Sequence, residues 1–374
     1  MDQSKSFKNL NSISKGMGEV SSSDSADRMS KWFLRFSEQT AGSPIYQFLS
    51  KEISSNQKIL KLASRSGSSQ PAPNLFLAAV NYILMKNPKD GLAEFYPNVG
   101  GSFSPSPAML NAFSIFCEKF EVEIGKLLET RLVQTNEVQR CALLLPAVNM
   151  VSEKSGVEKI SLVDVGASGG LNLLMDQVFI QYSDGSSAGP LNSTLRLECE
   201  SKGLSLPDFK NGIQISSRIG IDLNPVDLLN ADQREWNLAL IWPDQFERIK
   251  RLQKALKLLS SNKILLRKGN ANQILDEVVS EIPEDQLVCV MHSFTLNQFS
   301  KEEREKIETT LELISQKRNL WRISLEWIGT DFPELSIIHY ESGQKRSNQK
   351  LAECHGHGEW IRWVNQVEEK NVGA

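Results

Sequence analysis

Histidine, net charge and long apolar runs are all scarce in this sequence of 374 residues. Four His are present, all at or beyond His292, and 42 basic side chains stand against 45 acidic ones. The lack of a basic excess argues against non-specific binding to nucleic acid. No apolar run reaches the roughly 18 residues of a membrane helix, and no apolar core follows Lys5 and Lys8 as it does in a signal peptide. We therefore expect a cytoplasmic protein that binds a small-molecule substrate and neither nucleic acid nor membrane.

Cysteine gives no sign of a disulfide framework or a metal centre. The five Cys are an odd number, form no CxxC pair and lie mostly in apolar sequence, which indicates buried reduced thiols. The stretch Cys354–His357 contains ligand-type residues, but tetrahedral zinc usually draws ligand pairs from two elements. Because no second pair is present, we predict no metal site and interpret this stretch as a polar hairpin turn.

Hydrophobic patterning divides the chain into three parts. Residues 1–27 are rich in Ser and lack a hydrophobic period, which predicts a disordered tail. Residues 28–155 carry apolar residues at helical spacing, for example Leu110, Phe113 and Phe116, and are predicted to form an all-helical cap domain. In residues 156–374, short apolar runs alternate with helical stretches, which predicts an α/β domain.

The α/β part is predicted to be a Rossmann-like doubly wound sheet. Its parallel strands are predicted at 159–164, 217–222, 264–267, 287–291 and 321–327. Residues 182–212 lengthen the first β–α–β unit and are interpreted as an insertion with a strand at 194–200. Near the end, Ile337–Tyr340 and Trp360–Val364 flank a polar segment that contains Gly, which indicates a terminal antiparallel hairpin.

The strongest functional signal is the Gly-rich turn after the first of these strands, Val163–Asn172. Small residues let a ligand approach the backbone, and an apolar helix predicted to begin at Leu171 offers free N–H groups. Asp164 precedes the turn, where an acid suits an ammonium group better than a phosphate. Asp222 ends the second strand, where it can accept from two ribose hydroxyls. An amine and a ribose together point to S-adenosylmethionine (SAM).

The two strand ends resemble those of the class I SAM-dependent methyltransferases. In that resemblance Asp222 holds the ribose, Leu223 lies against the adenine, and the amide of Asn270 contacts the adenine where the family usually has an acid. The implied cofactor-binding residues are Asp164, Gly166, Ala167, Ser168, Gly170, Asn172, Asp222, Leu223, Gly269, Asn270, Ala271 and Ser293.

Two polar motifs supply candidate substrate-binding residues. Asn136 and Arg140 lie four residues apart on one helical face with Glu137 beside them. Arg140 is suited to bind a carboxylate or phosphate in two-pronged fashion, although a capped helix start explains the same pattern. Trp242 and Asp244 surround a helix-starting Pro; we predict that they wall the substrate pocket, and helix capping is the alternative.

His292 is the predicted catalytic residue. It follows the strand at 287–291, at the carboxyl end of the sheet. An imidazole there is suited to deprotonate a hydroxyl or amine of the substrate at neutral pH. The alternative is a His that is hydrogen-bonded in the wall of the cleft.

These motifs also resemble a bacterial family known only as a domain of unknown function. The resemblance runs from about residue 30 to the end. Its hallmarks are Gln134–Arg140, Val165–Asn172, Asp222–Asp227, Trp242–Gln245 and His292-Ser293. The resemblance implies a methyltransferase-like protein and attaches no reaction to it.

The sequence therefore predicts SAM-dependent methyl transfer to a small polar molecule. A non-catalytic module that binds SAM or a nucleotide is an alternative. A serine hydrolase is another, because Gly166–Gly170 satisfies the G-x-S-x-G pattern of a nucleophile elbow. Its triad would be drawn from Ser168, Asp222 or Asp244, and His292 or His355. The elbow needs several strands upstream, however, and the chain before residue 158 is predicted to be helical.

Overall fold

The computed structural model describes residues 22–67, 70–134, 136–207, 209, 213–327 and 329–364. Within these residues the chain forms two compact units. The helical unit contains 22–134 and 228–250, and the sheet unit contains 136–227 and 251–364.

The α-helices are α1 (Ser22–Gln39), α2 (Pro44–Ile53), α3 (Gln57–Ala63), α4 (Ala72–Lys86), α5 (Pro107–Lys119), α6 (Glu121–Thr130), α7 (Cys141–Ser155), α8 (Ala231–Ala239), α9 (Phe246–Ser261), α10 (Ala271–Ser280) and α11 (Lys301–Ser315). The strands are β1 (Lys159–Val165), β2 (Phe179–Tyr182), β3 (Ser187–Ala188), β4 (Arg196–Gly203), β5 (Gln214–Asp222), β6 (Leu265–Lys268), β7 (Leu287–Ser293), β8 (Leu320–Glu326), β9 (Glu334–Glu341), β10 (Gln344–Cys354) and β11 (Trp360–Trp363).

The boundary between the units differs from the seam predicted near residue 155. Helix α7, which the prediction gave to the helical part, packs against β4, β8 and β9 and so belongs to the sheet unit. The segment 228–250, which includes α8, belongs to the helical unit. Hydrophobic periodicity marks a helix in both places, but it does not show which layer covers the apolar face of that helix.

Local sequence explains where the first helices begin. Helix α1 begins at Ser22, so residues 22–27 of the predicted disordered tail are helical, and residues 1–21 lie outside the described part of the chain. Ser43 caps α2 by accepting from the N–H of Tyr46, and Pro44 occupies the first turn, where its missing N–H is not needed. Asn56 caps α3 in the same way.

Helix α4 is the centre of the helical unit. Most of its residues are buried, and Phe76 meets Phe33 of α1 and Phe113 of α5 edge to face at centroid distances of 6.0 and 6.1 Å. The ring of Tyr82 packs against Trp236 of α8 at 5.7 Å. These aromatic contacts join α8 to the core of the helical unit although about 150 residues separate them in sequence.

Among the described residues, the sheet unit contains one mixed sheet of eleven strands, in the order β3-β2-β4-β11-β10-β9-β8-β7-β1-β5-β6. The block β6-β5-β1-β7-β8 is parallel throughout. Strands β8 to β11 pair antiparallel with one another in sequence order. The predicted α/β class is confirmed in this form, as helices combined with a large mixed sheet.

Two parts of the sheet differ from the prediction. Ile337–Tyr340 lies in β9, but its partner is β10 and not Trp360–Val364. The sequence did not predict β10 because the first half of this strand is polar and largely exposed. The strand predicted at 194–200 within the insertion largely coincides with β4, but this region, together with the residues just before it, extends the main sheet through β2, β3 and β4.

The strand directions bring many loops to one edge of the sheet, which we name the carboxyl edge. Strands β1, β5, β6, β7 and β8 all end there because they are parallel. Strand β9 runs the opposite way and β10 runs back, so β10 ends at the carboxyl edge as well. The loops that follow β1, β5, β7, β8 and β10 are therefore neighbours along this edge.

Alternation along the strands separates the two faces of the sheet. Val163 and Val165 of β1 and Val288 and Val290 of β7 share one apolar cluster with residues of α10 and α11. This is termed the α10/α11 face. Asp164 lies between the two valines of β1, so its side chain points to the opposite face.

Asn81 provides a test of how α8 is held in the helical unit. This fully buried residue of α4 donates through Nδ2 to the carbonyl O of Ala239 at 3.0 Å, and its Oδ1 accepts from Asn98 at 2.8 Å. Asn81→Leu leaves both partners without these bonds, so we expect the free energy of unfolding to fall by about 2 kcal/mol or more in urea titrations. Asn87→Leu is the control, because the side chain of Asn87, the C-cap of α4, donates to the carbonyl O of Ile83 in α4 and contacts no partner in α8 among the described residues. If Asn81→Leu and Asn87→Leu lowered the free energy of unfolding equally, the role of Asn81 in holding α8 would be contradicted.

Candidate functional site

The turn after β1 has an unusual backbone. Gly166 has φ of +79°, and Ser168, which carries a side chain, has φ of +50°. The N–H groups of Gly166 and Ala167 donate to the carbonyl O of Ile221 in β5, at 2.8 and 3.3 Å. A Cβ atom at Gly166 would overlap the side chain of Thr295. The first position of the turn therefore requires glycine for its conformation and for its space.

The segment after the turn is not the predicted α-helix. Leu171–Gln177 is a 3₁₀ helix of seven residues, and β2 follows almost directly. Most of its apolar side chains are buried, so the apolar pattern reflects packing. Such a short 3₁₀ segment has little aligned dipole with which to hold a ligand or the turn.

Asp222 holds the turn from the end of β5. Its Oδ2 accepts from the N–H of Ser168 and its Oδ1 from the N–H of Asn224, both at 2.8 Å. Its carbonyl O accepts from the N–H of Gly269 at 2.9 Å. One residue thus joins the ends of β1, β5 and β6, and a carboxylate oxygen accepts more than one hydrogen bond.

Asn136 holds the same turn from a second direction. Its Oδ1 accepts from the N–H of Gly169 at 2.9 Å, and its Nδ2 donates to Oγ of Ser168 at 3.1 Å. The structure therefore brings this predicted substrate-binding residue to the Gly-rich turn itself. Its observed contacts fix the shape of the turn.

Asp164 lies at the base of the turn as a buried acid without a partner. Its side chain is 3 % exposed and has no hydrogen bond or ion pair within the described part of the chain. Burial, and then the nearby Asp222 carboxylate, raise the pKa of Asp164 to about 8, while Arg140 acts in the opposite direction. At neutral pH the carboxyl group is mostly protonated in the absence of a ligand.

Gln139 connects the Gln134–Arg140 motif to strand β4 and to the turn between β10 and β11. Its Nε2 donates to the carbonyl O of Glu198 at 2.6 Å and to that of Gly358 at 3.3 Å. Glu137 is buried, and its Oε1 accepts from the N–H of Gln139 at 3.2 Å. This contact caps the 3₁₀ helix Val138–Arg140, so the predicted capped helix start describes the local structure. Sequence reasoning did not select Gln139, although it lies within a hallmark motif.

Arg140 links the loop after β7 to the turn after β10. Its guanidinium carbon lies 4.3 Å from the ring centroid of Phe294, and its Nε donates to the carbonyl O of Gly356 at 3.1 Å. The stretch Cys354–His357, predicted to be a polar hairpin turn, is indeed the end of β10 and the start of its turn to β11. Phe294 was missed, although it directly follows the His292-Ser293 hallmark.

His292 lies on the α10/α11 face, away from the face of Asp164. It is in register with Val165 in β1, a member of the apolar cluster on that face, whereas Asp164 is in register with Met291. Its Nδ1 lies 2.7 Å from Oε1 of Glu326, and both side chains are buried. Burial lowers the pKa of His292, although Glu326 acts in the opposite direction. The structure thus does not bring the predicted base together with the predicted cofactor acid.

Four more of the predicted cofactor residues lie at the ends of β5, β6 and β7 or directly after them. Asn270 is the N-cap of α10, and Ala271 is buried in the cluster on the α10/α11 face. Leu223 is 59 % exposed beside Asp222. Ser293 ends β7 and, by alternation, lies on the face of Asp164.

Three small or amide residues complete that set. A Cβ atom at Gly170 would press against Ile264, and one at Gly269 would meet Ile274, so both glycines relieve local crowding. Asn172 lies in the 3₁₀ helix, where its Oδ1 accepts from the thiol of Cys141 at 3.8 Å. These contacts are structural and do not by themselves indicate a ligand.

Trp242 and Asp244 belong to the helical unit. Trp242 packs against the rings of Phe36 and Tyr46 at centroid distances of 5.9 and 6.1 Å. Oδ2 of Asp244 accepts from Oγ of Ser43, the cap of α2, at 2.8 Å. The observed contacts of both residues therefore stabilise this unit.

The serine-hydrolase pattern is only partly matched. The positive φ of Ser168 is typical of a nucleophile elbow. In the described residues, however, the side-chain partner of its Oγ is Asn136, and no imidazole lies within hydrogen-bond distance. The ring of His355 contacts His357 and Trp360 instead.

The described part of the chain gives no sign of a membrane-spanning helix or of a metal cluster. No helix there combines the length and the apolar character that crossing a membrane requires. The same residues contain no group of three or more His, Cys, Asp or Glu arranged to hold a metal ion.

The pH dependence of stability tests the environment of Asp164. In the unfolded chain this carboxyl ionises near its ordinary pKa of 3.8, whereas in the folded protein it stays protonated up to about pH 8. The folded state therefore binds more protons between these values, and stability falls as pH rises through this window, by up to about 1.4 kcal/mol per pH unit. We expect Asp164→Asn to remove this slope, so that the variant gains stability over the wild type from pH 5 to pH 8. If urea titrations gave parallel curves of stability against pH for the wild type and Asp164→Asn, the raised pKa of Asp164 would be contradicted.

Comparison with known proteins identifies a family and no reaction. No curated protein and no solved structure matches the chain. A family described as "Uncharacterized protein conserved in bacteria (DUF2332)" has a model that matches residues 30–363. The match covers the Gly-rich turn, both polar motifs and the carboxyl edge, and the chain therefore belongs to this uncharacterized bacterial family.

Proposed function

We propose that the protein is a SAM-dependent methyltransferase with a Rossmann-like core that acts on a small polar molecule. The parallel block supports this proposal, because its order β6-β5-β1-β7-β8 reverses at β1. Doubly wound sheets bind their ligands outside the carboxyl ends of the strands at such a point. The Gly-rich turn occupies that position.

The buried, unpartnered carboxyl group of Asp164 is the observation that carries the proposal. A buried acid without hydrogen-bond partners destabilises a fold. Its presence beneath the turn is accounted for by a ligand that brings a cation and hydrogen-bond donors. The ammonium group at the methionyl end of SAM supplies both, and its charge would favour the ionised form of Asp164.

The ends of β5 and β6 fit the rest of the cofactor. Asp222 is suited to accept from the ribose hydroxyls, since backbone N–H groups already orient its carboxylate. The exposed side chain of Leu223 offers an apolar surface to the adenine, and the amide of Asn270 lies at the end of β6. Bound SAM supplies an electrophilic methyl group, and the protein's part is to hold donor and acceptor in line.

The acceptor side of the proposed site is the β7 side of the turn. Ser293 shares the face of Asp164, and Phe294 lies against the guanidinium of Arg140. A planar guanidinium on an aromatic ring suits an acceptor with a carboxylate or phosphate group. His292 is not assigned as the base, because it faces the other side of the sheet.

A non-catalytic module that binds SAM is the second candidate. The position of Asp164 and Asp222 at the Gly-rich turn would serve binding alone equally well. The serine-hydrolase alternative has one observation in its favour, the backbone of Ser168, and lacks an imidazole partner among the described residues.

Calorimetric titration with SAM tests the cofactor site. We expect binding by the wild type and a loss of at least about 30-fold in affinity in Asp164→Asn, because a buried charge pair is lost. Since Asp164 is protonated below its pKa of about 8, wild-type affinity should weaken as pH falls from 8 to 6, by about tenfold per pH unit. Asp164→Asn should show no such dependence.

Asp276→Asn is the matched control for this titration, because Asp276 is an exposed acid paired with Lys317. Its affinity for SAM should equal that of the wild type. Absence of wild-type binding at millimolar SAM would refute the proposal. Unchanged affinity in Asp164→Asn would remove its central observation.

Transfer of a labelled methyl group distinguishes an enzyme from a binding module. Methyl-labelled SAM is incubated with the protein and a bacterial small-molecule extract, and label in the products is counted. Arg140→Lys keeps the charge but loses the planar contact with Phe294, so we expect transfer to fall by about tenfold or more while SAM affinity stays within twofold. Arg346→Lys, at an exposed position, is the control. Wild-type protein that binds SAM but transfers no label would favour the binding module.

A further inference from the structure

We infer that Glu326 and His292 form a positioning pair. Together they hold the Gly-rich turn in its conformation from the α10/α11 face of the sheet. The inference rests on the proposed SAM site. Glu326 ends β8, and His292 lies near the end of the adjacent β7. Their side chains are 3 % and 2 % exposed, and neither is on the face of Asp164.

The carboxylate of Glu326 accepts hydrogen bonds from backbone N–H groups of the loop after β7. Its Oε1 accepts from the N–H groups of Thr295 and Leu296 at 2.9 and 3.0 Å, and its Oε2 accepts from that of Asn297 at 3.2 Å. Burial alone would raise the pKa of Glu326, but the hydrogen bonds from His292 and the backbone outweigh it and lower the pKa. An ionised carboxylate therefore fixes three successive residues of the loop.

This loop packs against the Gly-rich turn. The side chain of Thr295 fills the space beside Gly166, where any Cβ atom would overlap it. Gly166 is also bonded through its N–H to Ile221 in β5. A displacement of Thr295 would therefore open a gap at the first residue of the turn, two positions after Asp164.

His292 orients the carboxylate of Glu326. Its Nδ1 donates to Oε1 because the low pKa keeps the imidazole neutral, with the proton on the nitrogen that faces the acid. Its Nε2 is buried and has no hydrogen-bond partner within the described residues. An apolar side chain of similar volume would avoid that cost. Orientation of Glu326 accounts for a histidine at this core position.

Glu326→Gln and a matched control test the pair. The control is Glu308→Gln, since Glu308 lies in α11 and bonds to Arg322, Tyr340 and Lys345. The readouts are the dissociation constant for SAM and hydrogen exchange at the N–H groups of Ser168 and Gly169. We expect Glu326→Gln to weaken SAM binding about tenfold, as supporting residues of ligand sites typically do, and to speed exchange at the turn. The control should lower thermal stability and leave both readouts within twofold.

Two substitutions of His292 separate orientation from volume. Gln can place an N–H donor near Glu326, so His292→Gln should keep SAM affinity close to that of the wild type. His292→Leu fills the space but leaves the carboxylate without this donor, so it should weaken SAM binding and speed exchange as Glu326→Gln does. Equal behaviour of the two variants would overturn the orienting role of His292.

The outcomes separate this inference from the proposed function. Equal changes in the Glu326→Gln and Glu308→Gln variants would overturn the positioning role. If the wild type does not bind SAM but Glu326→Gln still speeds exchange at Ser168 and Gly169, the proposed function fails and the positioning of the turn stands. If Glu326→Gln does not fold, Thr295→Ala is used in its place, because it opens the same gap beside Gly166. If Thr295→Ala has the same SAM affinity and the same exchange rates as the wild type, the inference is overturned.

Discussion

Two side chains take up the backbone N–H groups of a single turn, and the geometry of the carboxyl edge depends on them. Asp222 bonds the N–H of Ser168 across 54 residues, and Asn136 bonds that of Gly169 across 33 residues. In many nucleotide-binding turns a long α-helix begins at this point and fixes the backbone. Here the following segment is a short 3₁₀ helix, so neighbouring loops fix the turn in its place.

Much of the fold could be predicted because its central strands are short apolar runs, which are typical of parallel strands covered on both faces. Strands β1, β5 and β6 also have Asp or Gly at their ends, whereas β7 ends in Ser293 and β8 in Glu326. Strand β10 could not be predicted, since its first half is polar. The 3₁₀ helix Leu171–Gln177 could not be distinguished from an α-helix either, because both bury apolar residues spaced three or four apart.

Residues of the candidate site could be predicted where their position in the sequence determines their role. They could not be predicted where the register of strand pairing determines it. Asp164, Asp222 and Asn136 were selected because they stand at strand or helix ends next to the turn, and the structure brings Asp222 and Asn136 into contact with it. His292 also stands at a strand end, but a shift of one residue reverses the face to which a side chain points. Pairing of His292 with Val165 settles that question, and pairing cannot be read from one strand alone. Glu326 was missed for the same reason.

The bond between Arg140 and Gly356 joins residues 216 positions apart. Domains are made from the N-terminus at about 5–20 residues per second, and earlier segments fold first. The segment that ends with β8 therefore leaves the ribosome before the turn after β10 does. Arg140 obtains the carbonyl O of Gly356 only after that turn has emerged, so this part of the carboxyl edge takes its final form later than the parallel block.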